Sequence, residues 1–73
     1  MKNYQLMQAR KRRGYSQSDM AEFLGIDRTT YNYKENGLNQ FKIDEINKIL
    51  ILLKVSYEDI FAPSLSQIKT TKK

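Results

Sequence analysis

The side chains able to do chemistry in this chain are mostly basic or amide-bearing. Of its 73 residues, 13 are Lys or Arg and 8 are Asp or Glu, for a net charge of +5. That balance favours an anionic partner. Arg10, Lys11, Arg12 and Arg13 form one block, and Lys69, Lys72 and Lys73 form a second near the end. A charge run is also what a solvated helix face looks like, so charge alone leaves open both nucleic acid and a merely basic domain. There is no Cys and no His, which removes disulfides, the usual zinc ligand sets and His-based acid–base chemistry. The carboxylate neighbours Asp44-Glu45 and Glu58-Asp59 fall at expected helix starts, where capping and the helix dipole account for them. With no nucleophile–base pair and no phosphate-cradling glycine loop, the chain does not read as an enzyme. No cofactor and no small-molecule ligand is expected.

The elements that must position these groups are punctuated by glycines and capping residues. Asn3 is expected to cap a helix from about Tyr4 to Arg13, with Leu6, Ala9 and Arg13 on one face and Met7 and Arg10 beside them, and Gly14 to stop it. Ser16 with Asp19 resembles a capping box and opens Gln17 to Leu24, whose buried side is Met20, Ala21 and Leu24. Gly25 suits a left-handed stop, and Asp27 is expected to cap a third helix, Arg28 to Asn36, ended by Gly37. Leu38 to Lys42 reads as a polar loop broken by Phe41. A fourth helix starts at about Ile43 and runs through Ile46, Ile49, Leu50 and Leu53, and Ser56 with Asp59 opens a short fifth that brings Ile60 and Phe61 to the core. No segment alternates with a period of two, so the expected class is all-α, five compact helices in a domain over residues 1–61. Residues 62–73 read as a basic, mobile tail. Met1 to Met20 holds no continuous apolar stretch, and Ile49 to Leu53 is too short to span a bilayer, so a soluble cytoplasmic protein without a signal peptide is expected.

The stretch from Gln17 to Asn36 is the most specific pattern. Two short helices joined by Gly25-Ile26-Asp27 match helix-turn-helix geometry. Ala21 is small where the helices approach, Gly25 turns the chain without strain at Cβ, and Ile26 fills the wedge between them.

On these residues the chain resembles the Cro/CI (lambda-repressor-like, XRE) family of helix-turn-helix regulators, over about residues 4–61. Carrying the resemblance are Leu6, Ala9-Arg10, Gly14, Ser16-Gln17, Met20-Ala21, Leu24-Gly25-Ile26, Thr30, Glu35-Asn36-Gly37, Ile43, Ile46, Ile49, Leu53, Val55-Ser56 and Ile60-Phe61. The run Tyr31 to Gly37 with Phe41 is similar to phage-type members. Two positions depart from the pattern: Tyr31 stands where a smaller aliphatic residue is usual, and Lys34 where an apolar or aromatic one is. Tyr31 is expected to be buried with its hydroxyl at a polar rim. Lys34 is expected to cover the core with its stem while its head reaches solvent or phosphate.

The resemblance implies that the helix from Arg28 to Asn36 enters the major groove of double-stranded DNA, with Arg28, Thr29, Asn32 and Tyr33 reaching base edges. Arginine can grip guanine with two hydrogen bonds, and a Thr methyl can meet thymine. Against this, Arg28 could be a solvated helix-start residue and Tyr33 a stray exposed aromatic. Gln17, Lys34, Asn36, Asn39, Gln40 and Lys42 are the implied phosphate contacts. Arg10 and Glu35 are implied to form a partly buried structural ion pair. On the fourth helix Ile51, Leu52 and Val55 are apolar beyond what one core face needs, and suggest a homodimer acting as a repressor on a palindromic operator. Cover by the C-terminal segment, with Leu65 and Ile68, is the alternative for that face. An alternative function is a protein-interaction or antitoxin-like module. A membrane-surface role fits less well, since the fourth helix lacks a strongly basic face. With little chain beyond Phe61, no separate sensing domain is expected, and switching would come from expression level, proteolysis or a partner protein.

Overall fold

Side-chain caps decide where most of the helices begin. Residues 2–61 are described in the computed structural model of the chain, as α1 (Tyr4–Arg12), α2 (Gln17–Leu24), α3 (Arg28–Glu35), α4 (Ile43–Leu53) and α5 (Tyr57–Ile60). The Leu6 N–H donates to Asn3 Oδ1 at 3.0 Å to start α1. Ser16 and Asp19 exchange backbone-to-side-chain bonds of 2.9 and 3.0 Å at the start of α2. Ser56 and Asp59 repeat the arrangement at α5, at 3.1 and 3.3 Å. Caps of this kind stabilise by about 1 kcal/mol each. Gly25 ends α2 at φ 71°, a left-handed conformation in which a Cβ would be strained.

Asp27 departs from expectation. It occupies the N-cap position of α3 but its side chain makes no cap bond. The carboxylate is exposed and keeps its hydration, so it contributes to α3 through the dipole alone. At the far end of α4, Lys54 takes φ 57°, and the Arg13 Nε–H donates to the Leu53 carbonyl at 3.3 Å. Arg13 is therefore exposed and caps α4, rather than sharing the buried face of α1.

The core gathers Leu6 and Ala9 from α1, Met20, Ala21 and Leu24 from α2, Tyr31 from α3, Ile49 and Leu53 from α4, and Ile60 from α5. Ile26, Phe41, Leu50, Leu52, Val55 and Phe61 are half-buried against it. Phe41 bridges edge-on between the rings of Tyr31 and Phe61, at centroid distances of 6.0 and 5.6 Å. Ile43 is 75% exposed, because the buried stripe of α4 runs Glu45, Ile49, Leu53 in steps of four. At about 100° per residue Ile43 lies on the opposite side from Glu45. Among the described residues, no helix is long and apolar enough to cross a membrane.

Candidate nucleic-acid interface

Helix α3 has two faces with different duties. Its buried face carries Tyr31, Lys34 and Glu35. Its leading end leaves Arg28 and Thr29 exposed, and Tyr33, one turn beyond Thr29, is 45% exposed. Asn32 is half-buried beside them.

Glu35 is the hub of the buried face. Its two carboxylate oxygens accept from Arg10 Nε at 2.9 Å, Arg10 Nη2 at 3.3 Å, Gln17 Nε2 at 2.9 Å and the Tyr31 hydroxyl at 2.7 Å. Those four donors fill the acceptor capacity of a carboxylate. Arg10 also donates through Nη1 to the Tyr15 carbonyl at 2.9 Å. The network ties α1 and α2 to α3, and among the described residues no buried side-chain nitrogen or oxygen is left without a partner.

Tyr31 is thus fully buried, and its hydroxyl meets Glu35 inside the molecule rather than a polar rim. Burial chiefly, and then the hydrogen bond and charge of Glu35, push the hydroxyl well above the usual tyrosine range, with Arg10 pulling the other way. The family resemblance implies a buried ring, and the partner of its hydroxyl, Glu35, lies one turn along the same helix.

Gln17 sits at the start of α2 with its side chain turned to α3. Its Oε1 accepts from Asn32 Nδ2 at 3.1 Å while its Nε2 serves Glu35. The backbone N–H groups of the first turn of α2 are of the kind no helical carbonyl serves. Asn36 Nδ2 donates to the Asn32 carbonyl at 2.8 Å. Asn39, Gln40 and Lys42 are exposed on the loop that follows.

Lys34 departs from expectation. It is 8% exposed, and its Nζ pairs with Glu45 Oε1 at 2.6 Å, so the ammonium reaches neither solvent nor phosphate. The same oxygen accepts the Lys42 backbone N–H at 2.9 Å at the start of α4. Burial acts to raise the Glu45 carboxyl, but the Lys34 hydrogen bond, the Lys42 N–H and the two positive charges outweigh it and hold it below the usual carboxylate range. Sequence alone marks Glu45 only as a helix-start carboxylate. The signal that could have found it is Lys34 itself, since a lysine three residues from Tyr31 on a buried face needs an acid from another element.

The candidate interface residues, two on α4 and Val55 just after it, divide between two clefts. Ile51, 78% exposed, and Leu52 line a cleft of about 240 Å3 with Phe23 of α2 and Lys48. Val55 lines another, with Arg12, Arg13 and Lys54. Leu65 and Ile68 lie outside the described residues, as does the tail expected over 62–73. Among the described residues, no group of three or more His, Cys, Asp or Glu could hold a metal ion.

No curated protein and no solved structure matches the chain. A family model described as Helix-turn-helix matches residues 6–60, which takes in all of α2 and α3 and reaches the last residue of α5. The exposed leading end of α3, the Gly25 turn before it and that match agree, and the chain belongs to the helix-turn-helix family of XRE (Cro/CI) type, a family of DNA-binding transcription regulators that are typically not enzymes.

Proposed function

We propose that the protein reads a specific duplex sequence by laying α3 in the major groove, and that it does so as a homodimer repressing transcription from a palindromic operator. Arg28 and Thr29 meet base edges from the leading end of α3, with Tyr33 and, at the margin, Asn32 behind them. The first-turn N–H groups of α2, starting at Gln17, take one phosphate while the Gln17 side chain braces α3 through Glu35 and Asn32, and Asn36, Asn39, Gln40 and Lys42 take the backbone beyond α3. Ile51 and Leu52 with Phe23 supply the contact between copies, and a palindromic operator requires the two copies of α3 to lie about 34 Å apart. The observation that carries this reading is the division of α3: one face is locked by Tyr31, Lys34 and Glu35, while Arg28 and Thr29 stand in solvent. The cytoplasm is the proposed seat of action.

One observation favours a second reading, a protein-interaction or antitoxin-like module: the cleft of Phe23, Lys48, Ile51 and Leu52 is mostly apolar. Duplex affinity measured as salt rises separates the two. A clamp on several phosphates weakens steeply, with log affinity falling by about 0.9 per phosphate contact for each decade of salt. Absent or salt-insensitive duplex binding contradicts the proposal.

A further inference from the structure

We infer that the buried Lys34–Glu45 ion pair is a positioning device that joins the phosphate-contacting loop to the recognition helix as one rigid unit. The inference rests on the DNA-binding mode proposed above. Residues 36–42 run between the end of α3 and the start of α4; the leading half is bonded to the backbone of α3, and the trailing half meets this pair. At the leading end, the Gly37 N–H donates to the Lys34 carbonyl at 3.2 Å, and the Leu38 and Asn39 N–H groups donate to the Tyr33 carbonyl at 2.8 and 3.4 Å. At the trailing end, the Lys42 N–H donates to the same Glu45 oxygen that holds the Lys34 ammonium. Between them, Phe41 lies under the ammonium, with Nζ 6.0 Å from the ring centroid. The exposed side chains of Asn39, Gln40 and Lys42 hang from a segment pinned at three points.

Helix packing does not supply this join. α3 packs chiefly on α2, and among the described residues the Lys34–Glu45 bond is the one side-chain hydrogen bond between α3 and α4. A buried ion pair is a poor source of stability, since desolvation offsets most of its attraction and apolar replacement of both partners is often neutral. Its value here is geometric. Donors on a free loop must be ordered when phosphate binds, and donors on a pinned loop are ordered already. Lys34 and Glu45 touch no DNA in this account; they act through Asn39, Gln40 and Lys42.

The test is the full chain carrying Lys34→Met and Glu45→Gln together. Met fills the space of the lysine stem, and the Gln amide oxygen still accepts the Lys42 N–H, so the cap of α4 survives while the tie to α3 is lost. The variant is expected to melt within a few degrees of the wild type. Amide exchange at Lys42, whose N–H bond to residue 45 is no longer braced by the tie to α3, should accelerate about tenfold, with no change at Gly37, Leu38 or Ala21, whose bonds to backbone carbonyls are untouched. Affinity for a selected duplex should fall about tenfold, and the salt slope should drop by about one phosphate, with the preferred base sequence unchanged. Unaltered exchange in the loop overturns the inference whether or not DNA binds. So does wild-type affinity in the variant, or a loss of affinity that only follows a lowered melting temperature. Failure of the wild-type chain to bind any duplex would instead contradict the proposed function, and the exchange measurement keeps the two failures apart.

Discussion

Replacing Arg10 by Ala should weaken DNA binding by loosening the fold, not by removing a contact. Arg10 is 6% exposed and Glu35 1% exposed, so both charges are out of water. The substitution removes three hydrogen bonds, two to Glu35 and one to the Tyr15 carbonyl. Breaking a buried pair from one side costs about 3–5 kcal/mol, because the remaining charge is stranded. Glu35 keeps Gln17 and Tyr31 as donors, which places the loss near the lower figure, about 3 kcal/mol. A chain of this length is stable by roughly 4–11 kcal/mol in all, so the variant should lose a large share of its margin. For a domain of this size that is a drop in melting temperature of roughly 12–24 °C. Circular dichroism melts and duplex titrations on the same samples provide the assay. Affinity referred to the folded fraction should return to within about threefold of the wild type when the variant is cooled or stabilised by an osmolyte. Unchanged melting with lost binding would refute the reasoning and make Arg10 a DNA contact.

Three further expectations concern charge and association. Because the Glu45 carboxyl is held below the usual carboxylate range, its contribution is present above about pH 4.3 and lost as pH falls through the lower folded value; melting temperature should fall on acidification, and Glu45→Gln should flatten that fall. Tyr31 is shifted upward, so its contribution is complete below about pH 10 and is lost progressively as pH rises from there toward the higher folded value. Tyr31→Phe should reduce that alkaline loss, at a cost of about 1–2 kcal/mol near neutrality for the hydrogen bond withheld from Glu35, as read by melts across pH. Ile51→Asp alters a residue that is 78% exposed, so stability should change by less than about 0.5 kcal/mol while sedimentation at micromolar concentration shifts from dimer to monomer; an unshifted profile would remove Ile51 from the interface.

Local grammar made most of the fold legible. Ser16 with Asp19, Gly25, and Ser56 with Asp59 are decided within four residues of sequence, and each appears where its residue types require it. Helical spacing also placed Met20, Ala21, Leu24, Ile49 and Leu53 in the core. Periodicity says which face of a helix is buried, but not which side chain of another helix lies opposite. For that reason Lys34 was aimed at phosphate although Glu45, eleven residues on, holds it inside. Tyr31 was placed inside, but its hydroxyl partner on α3 was not named. On α4 the buried stripe includes Glu45, which spacing alone leaves as a helix-start carboxylate. The pairing of Arg10 with Glu35 was implied by family resemblance and not by spacing, since twenty-five residues separate them.

The central claim is that the leading end of α3 reads base edges in the major groove. Selecting duplexes from a random pool with the wild type and with Arg28→Ala tests it most directly. Two inverted half-sites are expected from the wild type, and from the variant the same site with discrimination lost at one symmetric base pair, by about 1–3 kcal/mol. Identical selected sites from both proteins, or no enriched sequence at all, would contradict the account.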